Sequence, residues 1–311
     1  MSVTSTDHTK DVASDVIIRP AKLEDLDELY EFTDKVDWRV SKETLKLFLE
    51  IVEDGHYLVA DLHGKIIGSR LVIILDDKNA MFDFFIVDPK YRGSGVAKKI
   101  AARTMEIAGD RNVMIWSVSY RIQQNLKTGM KIGGGRLHLC EGRFDIGTLR
   151  VDTTLNDSAI KVVPTSEVDF EALLAYDTSI IVFQREKFLK AWLAKPSAAS
   201  FAALTDGGEV VGYGQVQDAP RSKVISPLYA DNPAAFKLLL KALLESIPME
   251  YSVYMLINVD YGAGMEVINM NKGTVKVFPD EPGTFMYTKR NLEMPKFGNV
   301  FAVACWGAFP A

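Results

Sequence analysis

The chain has 311 residues, 48% of them hydrophobic, 10% aromatic and 25% charged, a balance that excludes a disordered or fibrous protein. Its formal charge of -5, from 36 basic and 41 acidic residues, argues against a protein whose main task is to hold a phosphate backbone, so no nucleic acid partner is expected. Two cysteines, Cys140 and Cys305, make no disulfide framework, and four histidines (His8, His56, His63, His138) lack ligand spacing, so no metal is expected.

Residues 1–15 are polar, lack the apolar core of a secretory signal, and read as a loose tail. No apolar run approaches the roughly 20 residues that cross a bilayer, so no membrane partner and a cytoplasmic location are expected. A strand is predicted at 16–19, then helices near 22–36 and 42–53, which carry apolar residues at helical spacing. Strands at 57–62, 66–75 and 80–87 follow as a meander, the first two joined by the turn at His63-Gly64-Lys65. A helix over 95–108 places Val96, Ile100 and Ala101 on one face and Lys98, Lys99 and Arg103 opposite. A strand at 113–118, a short helix near 122–130, a turn at Gly133-Gly134-Gly135 and a strand at 136–140 close the block.

Two windows repeat. Residues 56–73 align without gaps on 200–217, so that Gly64-Lys65-Ile66-Ile67-Gly68 falls on Gly208-Glu209-Val210-Val211-Gly212. Further on, Val87-Asp88-Pro89-Lys90-Tyr91 falls on Ile225-Ser226-Pro227-Leu228-Tyr229. The expectation is an α/β (α+β) tandem duplication: a tail at 1–15, a first domain at 16–150 and a second at 160–311, each a mixed, mostly antiparallel sheet flanked by helices. The polar stretch 152–158 reads as the connection.

The segment from Phe84 to Ala97 runs from a buried strand through a glycine-containing turn directly into a helix. This arrangement aims backbone N–H groups and the positive end of the helix dipole at one spot, and so favours an anion. Gly93 and Gly95 allow a close backbone approach. Between Lys90 and Arg103 there are five basic residues and no acid, a local field suited to a diphosphate. No Gly-Lys-Ser/Thr follows, which excludes a Walker loop.

Arg92-Gly93-Ser94-Gly95-Val96-Ala97, after a strand that ends Val87-Asp88-Pro89, resembles motif A of the GCN5-related N-acetyltransferases (GNAT). The resemblance implies acetyl-CoA as cosubstrate. Phe85, Ile86 and Val87 would flank the pantetheine arm, Arg92, Gly93, Ser94, Gly95, Val96, Ala97 and Lys98 would hold the phosphates, and Asn125 would contact the arm. Asp83, in an otherwise apolar strand, is the candidate base, read against a merely structural carboxylate. The resemblance also leads one to expect a tyrosine acid on the helix after the fifth strand. None stands between Ile122 and Lys131, which leaves Tyr120 as its substitute or as a packing residue. Cys140 has no evident base partner and reads as a small buried residue. Residues 23–54 hold eleven acids against four bases, which would attract a small cationic amine or else form a solvated face.

On the alignment above, the second copy replaces the turn: Arg92 falls on Ala230, Gly93 on Asp231, Ser94 on Asn232 and Gly95 on Pro233. Asp231 adds negative charge and Pro233 removes a donor, so this copy is expected to hold no cofactor. The pair is similar to tandem GNAT proteins with a degenerate YitH-type C-terminal domain. Tyr229, Tyr254 and Trp306 are candidates to complete an acceptor pocket. The expected function is N-acetyl or short-acyl transfer from coenzyme A to a primary amine, with the thioester carbonyl polarised by the Val87 N–H. The alternatives are an acyl-CoA-binding module without turnover and a protein lysine acetyltransferase.

Overall fold

A computed structural model describes residues 8–53, 55–149 and 160–303, apart from the side chains of 8–11 and 279–282. The chain divides into two compact units, 1–115 and 116–311.

In the first unit, α1 (His8–Asp15) precedes β1 (Ile17–Pro20), α2 (Leu26–Lys35), α3 (Lys42–Ile51), β2 (Tyr57–Leu62), β3 (Lys65–Ile74), β4 (Asn79–Val87), α4 (Val96–Ala108) and β5 (Asn112–Ser117). The strands are ordered β1-β2-β3-β4-β5. Each of the first three neighbouring pairs is antiparallel, and β4 and β5 run parallel. The expected loose tail is instead helical over its second half, because Val12 packs with Val16, Val96 and Ile100. His63 and Gly64 both take positive φ, 53° and 86°, the geometry of a tight two-residue hairpin. Ser41 begins α3 by accepting from the Thr44 N–H.

The second unit contains α5 (Ile122–Lys127) and β6 (Lys131–Gly142), and then repeats the order of the first: β7 (Ile160–Pro164), α6 (Phe170–Ile181), α7 (Glu186–Leu193), β8 (Ala199–Thr205), β9 (Val210–Ala219), β10 (Ser222–Ala230), α8 (Pro233–Glu245) and β11 (Val253–Asn258). It ends with α9 (Gly262–Met270), β12 (Val275–Tyr287) and β13 (Val300–Ala302). Its strands are ordered β12-β6-β11-β13-β10-β9-β8-β7. The Gly133-Gly134-Gly135 turn is absent: these glycines lie inside β6, where the register with β12 shifts. A Cβ on Gly133 would fall 2.6 Å from the Phe285 ring, so this glycine admits a close neighbour within a strand rather than ending one. Strand β6 pairs with β11 and β12, and the compact units accordingly divide ahead of the boundary read near 150–160. Residues 150–159, with that connection, lie outside the described residues.

The strand registers correct the alignment of the two copies. Gly68 pairs with Val87, and its counterpart Gly212 pairs with Ala230, not with Ile225. The next N–H agrees: Asp88 donates to Ile67 O at 2.9 Å, and Asp231 donates to Val211 O at 2.8 Å. Asp231 therefore corresponds to Asp88, and Ala230 does not replace Arg92. The motif is deleted rather than mutated. Seven residues, 89–95, separate Asp88 from α4, whereas Asn232 alone separates Asp231 from α8. The ungapped pentapeptide match misled because a deletion of this size shifts everything beyond it.

The second unit is centred on a buried ion pair. Arg185 donates to both Asp177 oxygens at 2.7 and 2.8 Å, and Tyr213 Oη donates to Oδ1 at 2.5 Å. Removing one partner of such a pair strands the other charge and costs about 3–5 kcal/mol. Asp177→Ala should therefore lower the stability of this unit by about that amount. Chemical denaturation followed by the fluorescence of the buried Trp192 would measure the loss.

Candidate functional site

Strand β4 carries the features that make a site. Ser69 pairs with Ile86 and Leu71 with Asp83, so Arg70 alone faces two residues, Phe84 and Phe85. This is a β-bulge, which bends the strand. Phe84 has φ 49°, a conformation that non-glycine side chains adopt only when their surroundings compel it. Here they do. Ser69 Oγ donates to Phe84 O at 3.0 Å, and the Phe84 N–H donates to Asp83 Oδ1 at 2.7 Å. The buried Phe84 ring packs against Trp38, Phe48 and Tyr57, with centroids 5.5, 5.5 and 5.9 Å away.

Strands β4 and β5 pair in parallel at Asn79–Asn112, Ala80–Val113 and Met81–Met114. Beyond Met81 no pairing joins the two strands among the described residues, which leaves the bulge and residues 85–87 without that neighbour. The corresponding place in the second unit identifies what such an opening accepts. There, β10 and β11 pair in parallel at Lys223–Val253 and Val224–Tyr254. β13 then lies between them, with Ala302 opposite Leu228 and Ile257, and Val300 opposite Tyr229. Counted back from Asp88 and Asp231, Leu228 and Tyr229 occupy the places of Phe85 and Ile86. An extended, amide-bearing segment thus fits this opening, and in the second unit the chain supplies its own.

The turn after β4 leads through two glycines into α4. Asp88 caps it by accepting from the Lys90 N–H at 2.9 Å, and the Ser94 hydroxyl donates to Tyr91 O at 2.7 Å. Gly93 and Gly95 have φ of 83° and 95°, which turn the backbone into α4. A Cβ on Gly93 would meet nothing within 4 Å, whereas one on Gly95 would lie 3.4 Å from the Ala13 Cβ of α1. The N–H groups of Val96 and Ala97, in the first turn of α4, have no intrahelical acceptor. Arg92 Nε donates back to Val87 O at 3.2 Å, while Lys98 is exposed and Lys99 Nζ reaches Val16 O. These residues fit a pyrophosphate with a pantetheine arm.

Asp83 is buried at 8% exposure. Burial raises the Tyr57 phenol well above its ordinary range and pushes the Arg70 guanidinium down to about 10, and the Asp83 charge acts on both. Sequence reading missed Tyr57, Ser69 and Arg70. Arg70 had a signal, as the one charged residue inside the apolar run 66–75.

Tyr120 and Asn125 belong to the other compact unit. Tyr120 is 80% exposed, and the Asn125 amide donates to Ser117 Oγ at 2.9 Å. Cys140 is buried, and desolvation raises its thiol to about 12, which leaves it protonated and a poor nucleophile. The acids at 23–54 are partly committed to structural partners. Asp25 pairs with Arg19, Asp27 with Lys42, Asp37 with Arg39 and Glu50 with Lys46, and Glu28 accepts the Ile66 N–H. Asp54 lies outside the described residues, as do Cys305 and Trp306. Among the described residues, no group of acids, histidines or cysteines could hold a metal ion, and no helix is long and apolar enough to cross a membrane.

Comparison with known proteins bears on both halves. Residues 23–125 match the acetyltransferase (GNAT) family, and residues 173–278 match an acetyltransferase (GNAT) domain. No curated protein matches in sequence. Among solved structures, a putative acetyltransferase from Pyrococcus horikoshii shares 17% identity over 94% of this chain and 95% of its own, with a TM-score of 0.72. A tandem GNAT protein from the clavulanic acid biosynthesis pathway shares 16% identity over 88% of this chain and 98% of its own, with a TM-score of 0.60. A GCN5-related N-acetyltransferase from Sphaerobacter thermophilus shares 13% over 90% and 98%, with a TM-score of 0.60. The chain therefore belongs to the GCN5-related N-acetyltransferases, and it does so twice, with one such domain in each half.

Proposed function

We propose that the protein transfers an acetyl or short acyl group from coenzyme A to the nitrogen of a small primary amine, using the first domain alone. The observation that carries the reading is the contrast between the two copies. The first keeps an open strand edge beyond Met81 next to an intact phosphate turn, while the second has lost the turn and filled the matching opening with β13.

On this reading Gly93, Ser94, Gly95, Val96 and Ala97 hold the pyrophosphate through backbone donors, with Arg92 and Lys98 adding charge. The pantetheine arm pairs along Phe85, Ile86 and Val87, much as β13 pairs along Leu228 and Tyr229. The arm would bring the thioester to the bulge, where a strand N–H is placed to polarise its carbonyl. The amine attacks the thioester carbonyl, Asp83, buried at 8% exposure, takes its proton directly or through one water, and coenzyme A leaves as the thiolate, which solvent protonates. The acids of α2 and α3 favour a cationic acceptor, weakened by the pairs described above.

Calorimetric titration with acetyl-CoA should find one site per chain. The control is a chain in which residues 89–95 are replaced by a single asparagine, the connection the second domain already folds with. It should keep its thermal transition and lose the binding. Two sites would refute the asymmetry, and no site would refute the cofactor assignment.

An Asp83→Asn chain should bind acetyl-CoA as before and, with a panel of primary amines as acceptors, transfer the acetyl group and release coenzyme A about 10²- to 10⁴-fold more slowly, the usual contribution of a positioned base. Unchanged turnover across pH would remove Asp83 from the mechanism. Binding without turnover in the unaltered chain, for every amine offered, would leave an acyl-CoA-binding module.

A further inference from the structure

Among the described residues no side chain caps the start of α4, because the residue before it is Gly95, at φ 95°. In the second copy α8 begins at Pro233, and Asn232 Oδ1 accepts from the Ala235 N–H at 2.9 Å. The difference has a physical reason: N–H groups that are to meet a phosphate cannot be committed to a capping side chain. It also has a cost, since a helix start without a cap is weaker and glycine leaves the backbone there at its freest.

Helix α1 supports this start from outside. Ala13 faces Gly95, so close that a Cβ on the glycine would lie 3.4 Å from the Ala13 Cβ. Val12 packs on the buried cluster of Val16, Ala60, Ile67, Val96 and Ile100, and Val87 and Tyr91 pack on the same cluster. The whole turn is therefore bracketed: Val87 stands before it, Tyr91 within it, and Val96 and Ile100 after it. One turn into α4, Lys99 Nζ donates to Val16 O at 3.2 Å and fastens the helix to the chain just beyond α1.

Helix α1 depends on the same contacts. It is eight residues long, below the roughly 12 that a helix needs to persist alone in water. Val12 and Ala13 are half-buried, whereas Ser14 and Asp15 are exposed. The pair of Asp15 with His63, 3.9 Å apart, is exposed and adds little.

We infer that α1 is a buttress of the cofactor turn, with Val12 and Ala13 as positioning residues that hold Gly95 and the first turn of α4 in the geometry that binds a pyrophosphate. The inference rests on the reading of that turn as the phosphate site. Two events that fix the same atoms assist each other, so docked α1 tightens acetyl-CoA binding and bound acetyl-CoA stabilises α1 by the same factor.

The first test needs no variant. Amide hydrogen exchange at Val12 to Asp15 should slow when the full chain is saturated with acetyl-CoA, and unchanged or faster exchange overturns the inference. The second test is calorimetric titration of Val12→Asp and Val12→Ile. Val12→Asp, which undocks α1 by placing a charge in the apolar cluster, should raise the Kd for acetyl-CoA about 5- to 150-fold, the usual range for coupled sites, and Val12→Ile should restore it. With the best amine the loss should appear in KM for acetyl-CoA and not in kcat at saturation, because α1 touches the turn and not the bulge. An unchanged Kd in Val12→Asp overturns the inference, and so does a loss confined to kcat, which would mark Val12 as general scaffold. If Val12→Asp does not fold, a chain lacking residues 1–13 takes its place, with the same rise in Kd expected. No binding by the unaltered chain refutes the cofactor reading and this inference with it, whereas equal binding by every chain refutes the inference alone. A raised Kd with no turnover by any chain upholds the buttress and refutes the acyl-transfer reading instead.

Discussion

Two parallel strands stay paired only while their backbones remain close enough to share hydrogen bonds, and in the first domain a bulge ends that condition. The extra residue at Phe84–Phe85 bends β4, and its pairing with β5 is confined to the three positions before it. The bulge is costly in itself, since Phe84 sits at positive φ. It is held by Ser69 Oγ on one side, by the Asp83 carboxylate on the other, and by a cluster of three aromatic rings over Phe84. An unpaired stretch of strand and a carboxylate buried beside it accompany that one distortion.

The second domain works as a natural control inside the same chain. It keeps the strand order, the glycine and the bulge, so none of these by itself requires a cofactor. What it lacks is the seven-residue turn and the aspartate, its bulge at Ser226–Pro227 faces Gln215 where that of the first domain faces Arg70, and what it adds is a strand in the opening. Its polar interior serves stability instead: the buried Asp177 and Tyr213 and the nearly buried Arg185 satisfy one another. The division of labour is between a domain that holds an opening and a domain that closes one.

The electrostatics favour the same division. The first domain concentrates Lys90, Arg92, Lys98 and Lys99 around a turn whose donors face outward, in a chain that is acidic overall. The acidic helices α2 and α3 spend several of their carboxylates on capping and on pairs with Arg19, Lys42 and Lys46. A count of charges along the sequence therefore overstates the field available to an acceptor.

Much of the fold was legible in the sequence, for local reasons. The strands 57–62, 66–75 and 80–87 and the helix after Gly95 came from alternation, helical period and turn residues, all set within a few positions. The glycine turn that leads into α4 was legible because its glycines and the first helical residues are contiguous. The duplication was visible from the hairpin around Gly64 and Gly208, where no gap intervenes. Other features were decided only by tertiary contact. Residues 8–15 became a helix because Val12 finds an apolar cluster, and the three glycines stayed within a strand, with Gly133 leaving room for the Phe285 ring. The deletion after Asp231 appeared only when strand register fixed which residues face each other, and the same register brought Arg70, Asp83 and Phe85 to one bulge. Residues that meet across strands leave no spacing in the sequence, since the chain between them is set by the hairpin and not by the site.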